Sequence, residues 1–303
     1  MSASSSISNS IPGLSLPTPL RRFFSLFPVY THAPVPSPYT ARPINAPTLW
    51  IHPPRNESLE LEDLLSSDVE CLKWQAYLAL RDLSGIYVRW DITEDGAIDG
   101  RLPNLHVPSK DGEPGGELFA AHLIPEWADG KVGAGLGDLE GYADEAARDE
   151  SRAWVSLMEG NVHAALGLSY PPPSFLAALI TPFPAKHRSL SAMLNPPPAP
   201  LTGISSLLPP YGTHLDRNNV MLQYRDAISS LSERLGTDKW FLGSETPTAL
   251  DALVFAYLHC ILHSKDSAVR IEVARRVNLV AWELRVQGQI RSAFQRRALP
   301  SLV

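Results

Sequence analysis

Few residues in this chain could carry chemistry. The sequence holds two cysteines, Cys71 and Cys260, and nine histidines in 303 residues. Two cysteines permit at most one disulfide and no zinc site built mainly from thiolates. Cys71 has no partner at CxxC spacing, which removes a dithiol redox centre. His259 and His263 stand four apart with Cys260 between them, a spacing at which two imidazoles on one helix face can share a metal. No glutamate lies between them and the run around them is apolar, so packed or exposed side chains are expected. No metal site and no cofactor are expected. The glycine-rich run from Gly130 to Gly141 contains Gly-Lys but not Gly-Lys-Ser/Thr, so it is not a phosphate loop. Glu57 to Glu70 holds six acids and no base, which reads as a solvated face or as a contact surface for basic partner segments.

Bulk properties exclude other classes. Net charge is 26 − 32 = −6, without the basic stripe that phosphate binding requires, so no nucleic-acid partner is expected. The longest apolar stretch, Ala249 to Leu262, is about 14 residues and contains Asp251, short of the roughly 20 that span a bilayer. Seven arginines follow Ser267, so no tail anchor is expected, and any membrane role would be peripheral.

The elements that must position these residues are bracketed by proline. Eleven prolines fall between Pro12 and Pro54 and eleven between Pro171 and Pro210, where regular helix and central strand are disfavoured. The expected organisation is a proline-rich arm over 1–47, a thioredoxin-like domain over 48–127, a linker over 128–141 and a helical domain over 142–303 with a proline-rich insert at 169–210. The arm carries no acid, several arginines and an aromatic patch, Phe23, Phe24 and Phe27. Acid-free, Arg- and Ser-rich composition is shared with mitochondrial targeting segments, but the prolines argue against the helix such signals form. The arm is expected to lie on a partner, with the three phenylalanines as contact candidates; a disordered tail, or rings folded back on the protein's own core, are the alternatives.

Thr48 to Ile51 reads as a short buried strand. Ser67-Asp68-Val69-Glu70 reads as a capping box, with Ser67 and Glu70 as its two members, and Val69, Leu72, Ala76, Ala79 and Leu83 follow at helical spacing up to Gly85. Ile86, Val88, Trp90 and Ile92 alternate with polar residues as in a strand. Leu102 to Val107 is a strand opened by Pro103, a hairpin turn follows, and Glu117 to Trp127 is a short helix interrupted by Pro125. The order β-α-β, then β-turn-β-α, is thioredoxin-like. Beyond the linker, helices are expected from about Ala143 to Leu168, from Leu215 to Leu235 ended by Gly236, from a Thr248/Asp251 capping box to His263, and from Val269 to about Val286. A thioredoxin-like half followed by an all-helical half is the glutathione-transferase architecture, an α/β plus all-α fold.

Particular motifs sharpen this. Arg234-Leu235-Gly236-Thr237, then Trp240-Phe241-Leu242, then Pro247 to Phe255 closely resemble the C-terminal signature of the metaxins, and Glu70-Cys71-Leu72-Lys73, Leu102 to Val107 and Glu117-Leu118 resemble their N-terminal half. The likeness covers roughly 65–167 and 214–285. It implies a non-enzymatic, anchorless, metaxin-2-like subunit of the mitochondrial sorting and assembly machinery. Such a subunit is peripheral on the cytosolic face of the outer membrane and helps receive β-barrel precursors. The partners implied are a barrel-forming insertase subunit, a second metaxin-like subunit and the precursors themselves. The proline-rich arm suggests a fungal type.

A working glutathione transferase places a Tyr, Ser or Cys at the end of its first strand or the start of its first helix, where it turns the glutathione thiol into the reactive thiolate. The candidates here are Ser66, Ser67 and Cys71, in an acidic segment that would raise a thiol pKa. Ser67 is expected to be occupied as a cap, and Cys71 falls one turn into the helix. Pro103 matches the cis-proline of thioredoxin-like folds and is expected to be structural. Glu117 matches the polar position that holds a glutathione carboxylate in the enzymes. A carboxylate there would repel the ligand, so it is read as a helix N-terminal charge. The expectation is therefore no enzyme, with a glutathione-dependent transferase or a cytosolic transferase-like scaffold as alternatives.

Overall fold

Leu49, Trp50 and Ile51 are fully buried, and the sheet is built outward from them. The computed structural model describes residues 44–55, 64–108, 116–133, 139–169 and 216–296. Phe23, Phe24 and Phe27, the arm before residue 44 and the proline-rich insert after residue 169 lie outside the described residues.

Strand β1 (Thr48–Trp50) is followed by helix α1 (Val69–Leu80) and strand β2 (Ile86–Arg89), which pairs parallel to β1 with Leu49 opposite Val88. On its other side β1 pairs antiparallel to β3 (Asn104–Val107), with Leu49 opposite Leu105. β3 returns as a hairpin into β4 (Glu117–Ala120). Gly116 makes that return with φ +61, and a Cβ there would collide with the Val107 carbonyl. The strand order β4-β3-β1-β2 is thioredoxin-like, and the peptide bond from Leu102 to Pro103 is cis.

A fifth strand, β5 (Phe294–Arg296), lies parallel to β2 on its outer edge, with Ile86 opposite Phe294. No periodicity announces a three-residue strand.

The helical half runs through α3 (Glu145–Leu157), α4 (His163–Ser169), α5 (Arg217–Leu235), α6 (Ala249–Leu262), α7 (Ser267–Ala274) and α8 (Val277–Ala293). A π turn over Met158–Val162 joins α3 to α4 and keeps Met158 and Val162 both buried. α6 is apolar on every side and buried from Leu250 to Ile261, as a helix at the centre of a core must be. Its start is a capping box: Thr248 N–H and Oγ1 both donate to Asp251 Oδ2 at 2.8 Å. Asp251 Oδ1 also accepts from Phe241 N–H at 2.9 Å, which fixes the preceding turn. Among the described residues no helix is long and apolar enough to cross a membrane.

Five local expectations need correction. The cap of α1 is Asp68, whose Oδ2 accepts from Cys71 N–H at 2.9 Å. Ser67 is not available for capping because its hydroxyl donates to the Pro53 carbonyl at 2.8 Å, and Glu70 reaches forward to Trp74 Nε1 and Lys73 instead of back to a cap. α1 ends at Leu80, five residues before Gly85. Pro125 does not interrupt a helix over 117–127. Glu117 to Ala120 is strand, and Pro125 sits in the first turn of α2 (Ile124–Val132), where a missing amide costs nothing. That helix continues through Ala128, fully buried, to Gly133 at φ +75, so 128–132 is not linker. The single helix expected from Val269 is two, because Asn278 Nδ2 ties the start of α8 to the end of α5 through Ser232 O (2.8 Å) and Gly236 O (3.3 Å).

Candidate functional site

The position where a transferase would activate a thiol is the junction between β1 and α1. Here it is packed shut. Cys71 is fully buried, and its Sγ accepts from His52 N–H at 3.4 Å. Burial, reinforced by the neighbouring Asp68 carboxylate, pushes its thiol well above the ordinary value, so it stays protonated at neutral pH. Both serine hydroxyls are committed to the backbone at the end of β1. Ser66 Oγ donates to His52 O at 2.9 Å, and Ser67 Oγ donates to Pro53 O at 2.8 Å. Ser66 is further held by Gln75, whose Oε1 accepts from Ser66 N–H while its Nε2 donates to Leu64 O. Asp68 Oδ2 is spent on the cap.

The far side of the junction is closed by α6. Cys260 Sγ lies 3.6 Å from Ser67 O, and Arg55 Nη2 donates to both Ser67 O and Cys260 O at 3.4 Å. Burial pushes the Cys260 thiol up to about 12. His259 is buried beside it, with Nδ1 2.7 Å from Glu283 Oε1, and desolvation holds its pKa below the ordinary 6.5. The His263 ring lies tilted against His259, centroids 4.2 Å apart, and its Nδ1 is 2.8 Å from the His259 carbonyl. His259 is therefore engaged with Glu283 of α8, and His263 with the backbone of its own helix.

Pro103 is buried at the start of β3, and Asn104 beside it uses its side chain locally, with Oδ1 accepting from Ile98 N–H and Nδ2 donating to Arg101 O and Pro103 O. Glu117 is not at a helix N-terminus. It is exposed at the first position of β4, and the turn from β4 toward α2 passes through Ala120 and Ala121, which carry no polar side chain.

The opposite end of the α1–α6 seam is open. A cavity of about 1020 Å³ lies between the C-terminal half of α1, the start of α6, and parts of α2 and α3. Trp74, Tyr77 and Tyr142 supply aromatic wall, and Leu250 and Leu253 supply the apolar floor from α6. Arg81 stacks over the Tyr77 ring at 4.9 Å and pairs with Asp129, also on the wall. The capping-box residue Thr248 is part of this wall, so the helix start fixed by Asp251 also shapes the cavity.

A family model described as glutathione S-transferase, C-terminal domain, matches residues 224–286, from the middle of α5 to the middle of α8. That match lies wholly within the helical half of the chain. No curated protein sequence matches it. Among solved structures, it is similar to a glutathione S-transferase-like protein from Pseudomonas syringae, at 11% identity and a TM-score of 0.48, covering 86% of this chain and 77% of that one. It is also similar to glutathione S-transferase III in apo form, at 16% identity and a TM-score of 0.45, covering 84% and 100%. A glutathione transferase from Bombyx mori is similar at 11% identity and a TM-score of 0.41, covering 83% and 91%. Cys71 and Pro103 are brought to the same end of the sheet, while Thr248 and Asp251 sit at the other end of the α1–α6 seam.

The sequence reading missed the cavity, β5, and the grouping of His52 with Asp68 and Cys71. His52 had no signal of its own, since it reaches the junction from β1 while its neighbours come from α1.

Proposed function

We propose that this chain is a non-enzymatic, peripheral, metaxin-like subunit of the β-barrel assembly machinery of the mitochondrial outer membrane. In that role it serves as a docking body for a barrel-forming subunit and for β-barrel precursors. The observation that carries the non-enzymatic half of the reading is the closed β1–α1 junction. Its one thiol is buried and held protonated, and both serine hydroxyls are bonded to the backbone. Among the described residues, neither that thiol nor either serine hydroxyl is free to act on a glutathione sulfur. The assembly half rests on the likeness of Arg234 to Phe255 to the metaxin signature. That segment folds here into the end of α5, the turn held by Asp251, and the first half of α6.

The deciding experiment is affinity purification of the tagged full chain from detergent-solubilised mitochondrial outer membranes. Co-elution with a membrane β-barrel protein is the expected result. Elution alone, from membranes in which the barrel subunit is intact, overturns the assembly role.

A second reading, a glutathione-dependent transferase, is favoured by the match of residues 224–286 to the glutathione S-transferase C-terminal domain. Retention on immobilised glutathione, with thiol-conjugating turnover abolished in Cys71→Ala or Ser67→Ala, would establish it in place of the first.

A further inference from the structure

We infer that His52, Asp68 and Cys71 form a mononuclear binding site for a zinc-type divalent cation at the β1–α1 junction, reached from the side on which His52 and Asp68 are partly exposed. One ring nitrogen of His52, a carboxylate oxygen of Asp68 and Sγ of Cys71 all lie within 4.8 Å of one another. A tetrahedral ion with ligand distances near 2.0–2.3 Å needs its donor atoms roughly 3.3–3.7 Å apart. The donor atoms therefore need to close by at most about 1.1–1.5 Å, and the partly exposed His52 ring is the one of the three with most room to turn.

Three further features suit a metal. The donors are an imidazole, a carboxylate and a thiolate, a mixed N, O and S set of the kind zinc accepts when a water completes the shell. Their summed charge is −2 once the thiol proton is displaced, so a divalent cation leaves a neutral cluster at a site whose sulfur is fully buried. The surroundings already provide outer contacts. Nε2 of His52 lies 3.2 Å from Glu94 Oε1, the carboxylate–imidazole pairing that orients metal-bound histidines. The His52 amide donates to Cys71 Sγ at 3.4 Å, a bond that strengthens when the sulfur becomes an anion. Cys71 is buried, but His52 and Asp68 are both partly exposed, so the site opens to solvent through its nitrogen and oxygen donors.

The site does not depend on the assembly role. A cation would fasten the end of β1 to the first turn of α1, where a transferase keeps its reactive group. Because the ion must displace the Cys71 proton, binding tightens as pH rises.

Cobalt(II) is a direct probe, since a thiolate–cobalt bond gives a charge-transfer absorption that nitrogen and oxygen ligands alone do not. The chain has two cysteines, so such a band can arise only from Cys71 or Cys260. Full-length protein, reduced and stripped with a chelator, is titrated with cobalt and then with zinc in competition. The expected result is a charge-transfer band saturating at one metal per chain and quenched by zinc. The band is lost in Cys71→Ala and retained in Cys260→Ala. The His52→Ala variant, which keeps both thiols and changes a partly exposed side chain, binds at least about tenfold more weakly, and Glu94→Gln weakens binding by up to about tenfold. Absence of the band, a band that follows Cys260 instead of Cys71, or undiminished binding in folded His52→Ala overturns the site.

Discussion

The two ends of the seam between α1 and α6 are built to opposite plans. At the end nearest the first strand, two thiols, two serine hydroxyls and a capping carboxylate are locked into backbone contacts. At the other end the same two helices diverge around a cavity of about 1020 Å³ with aromatic and charged walls. The closed end is closed by short-range bonds to the backbone, which resist the reorganisation that chemistry needs. On the open side a buried carboxylate, Asp251, fixes the start of α6 and the turn before it. One helix pair therefore carries a tightly bonded end and, at its far end, a large concave surface.

The contrast can be broken most forcefully at Asp251. Asp251→Ala strands the Phe241 and Thr248 amides inside the core. At about 1–3 kcal/mol for each buried donor left unpaired, a total loss of about 3–5 kcal/mol is expected in urea unfolding. The matching change at the closed end, Cys71→Ala, removes one buried sulfur and leaves a small void, and about 1–2 kcal/mol is expected by the same measurement. A closed-end loss equal to the open-end loss would remove the asymmetry.

Thiol labelling sharpens the comparison without mutation. Native protein should resist an aromatic disulfide reagent at neutral pH because both thiols are buried and protonated, and both cysteines should react after denaturation. Rapid labelling of one thiol in the folded protein would show that the junction opens.

His259 gives a pH handle on the closed end. Its folded pKa lies below the ordinary 6.5, so the unfolded chain takes up a proton that the folded chain refuses. The stabilisation from the neutral ring is present above pH 6.5 and declines as pH falls below it. The stability difference between wild type and His259→Gln should therefore shrink between pH 7 and pH 5, followed as paired melting curves. A difference that grows on acidification would mean that His259 is charged against Glu283. The smallest effect is expected at Arg234, whose bidentate pair with Glu150 is about one-third exposed at each partner. Arg234→Ala should cost about 0.5 kcal/mol after solvent screening, and less in high salt.

What could be read beforehand followed from how local each signal is. Thr248 and Asp251 are three apart on one helix turn, and their capping box needs nothing from the rest of the chain. Ser67 and Asp68 are both competent caps. The choice between them is made by the Pro53 carbonyl 14 residues away, which takes the Ser67 hydroxyl and leaves Asp68 to cap. The strand alternation from Ile86 onward is visible in four residues, whereas Phe294–Arg296 is a strand only because the edge of β2 accepts it. The cavity and the His52–Asp68–Cys71 group join residues from separate elements, and no spacing along the chain records them.

The parallel pairing of the last strand with β2 has a consequence for any attempt to cut this molecule in two. The end of the helical half completes the sheet of the other half, so severed pieces would each carry a raw hydrogen-bonding border. Separately produced halves would be expected to clump when alone and to knit together when mixed, like the two parts of a buckle.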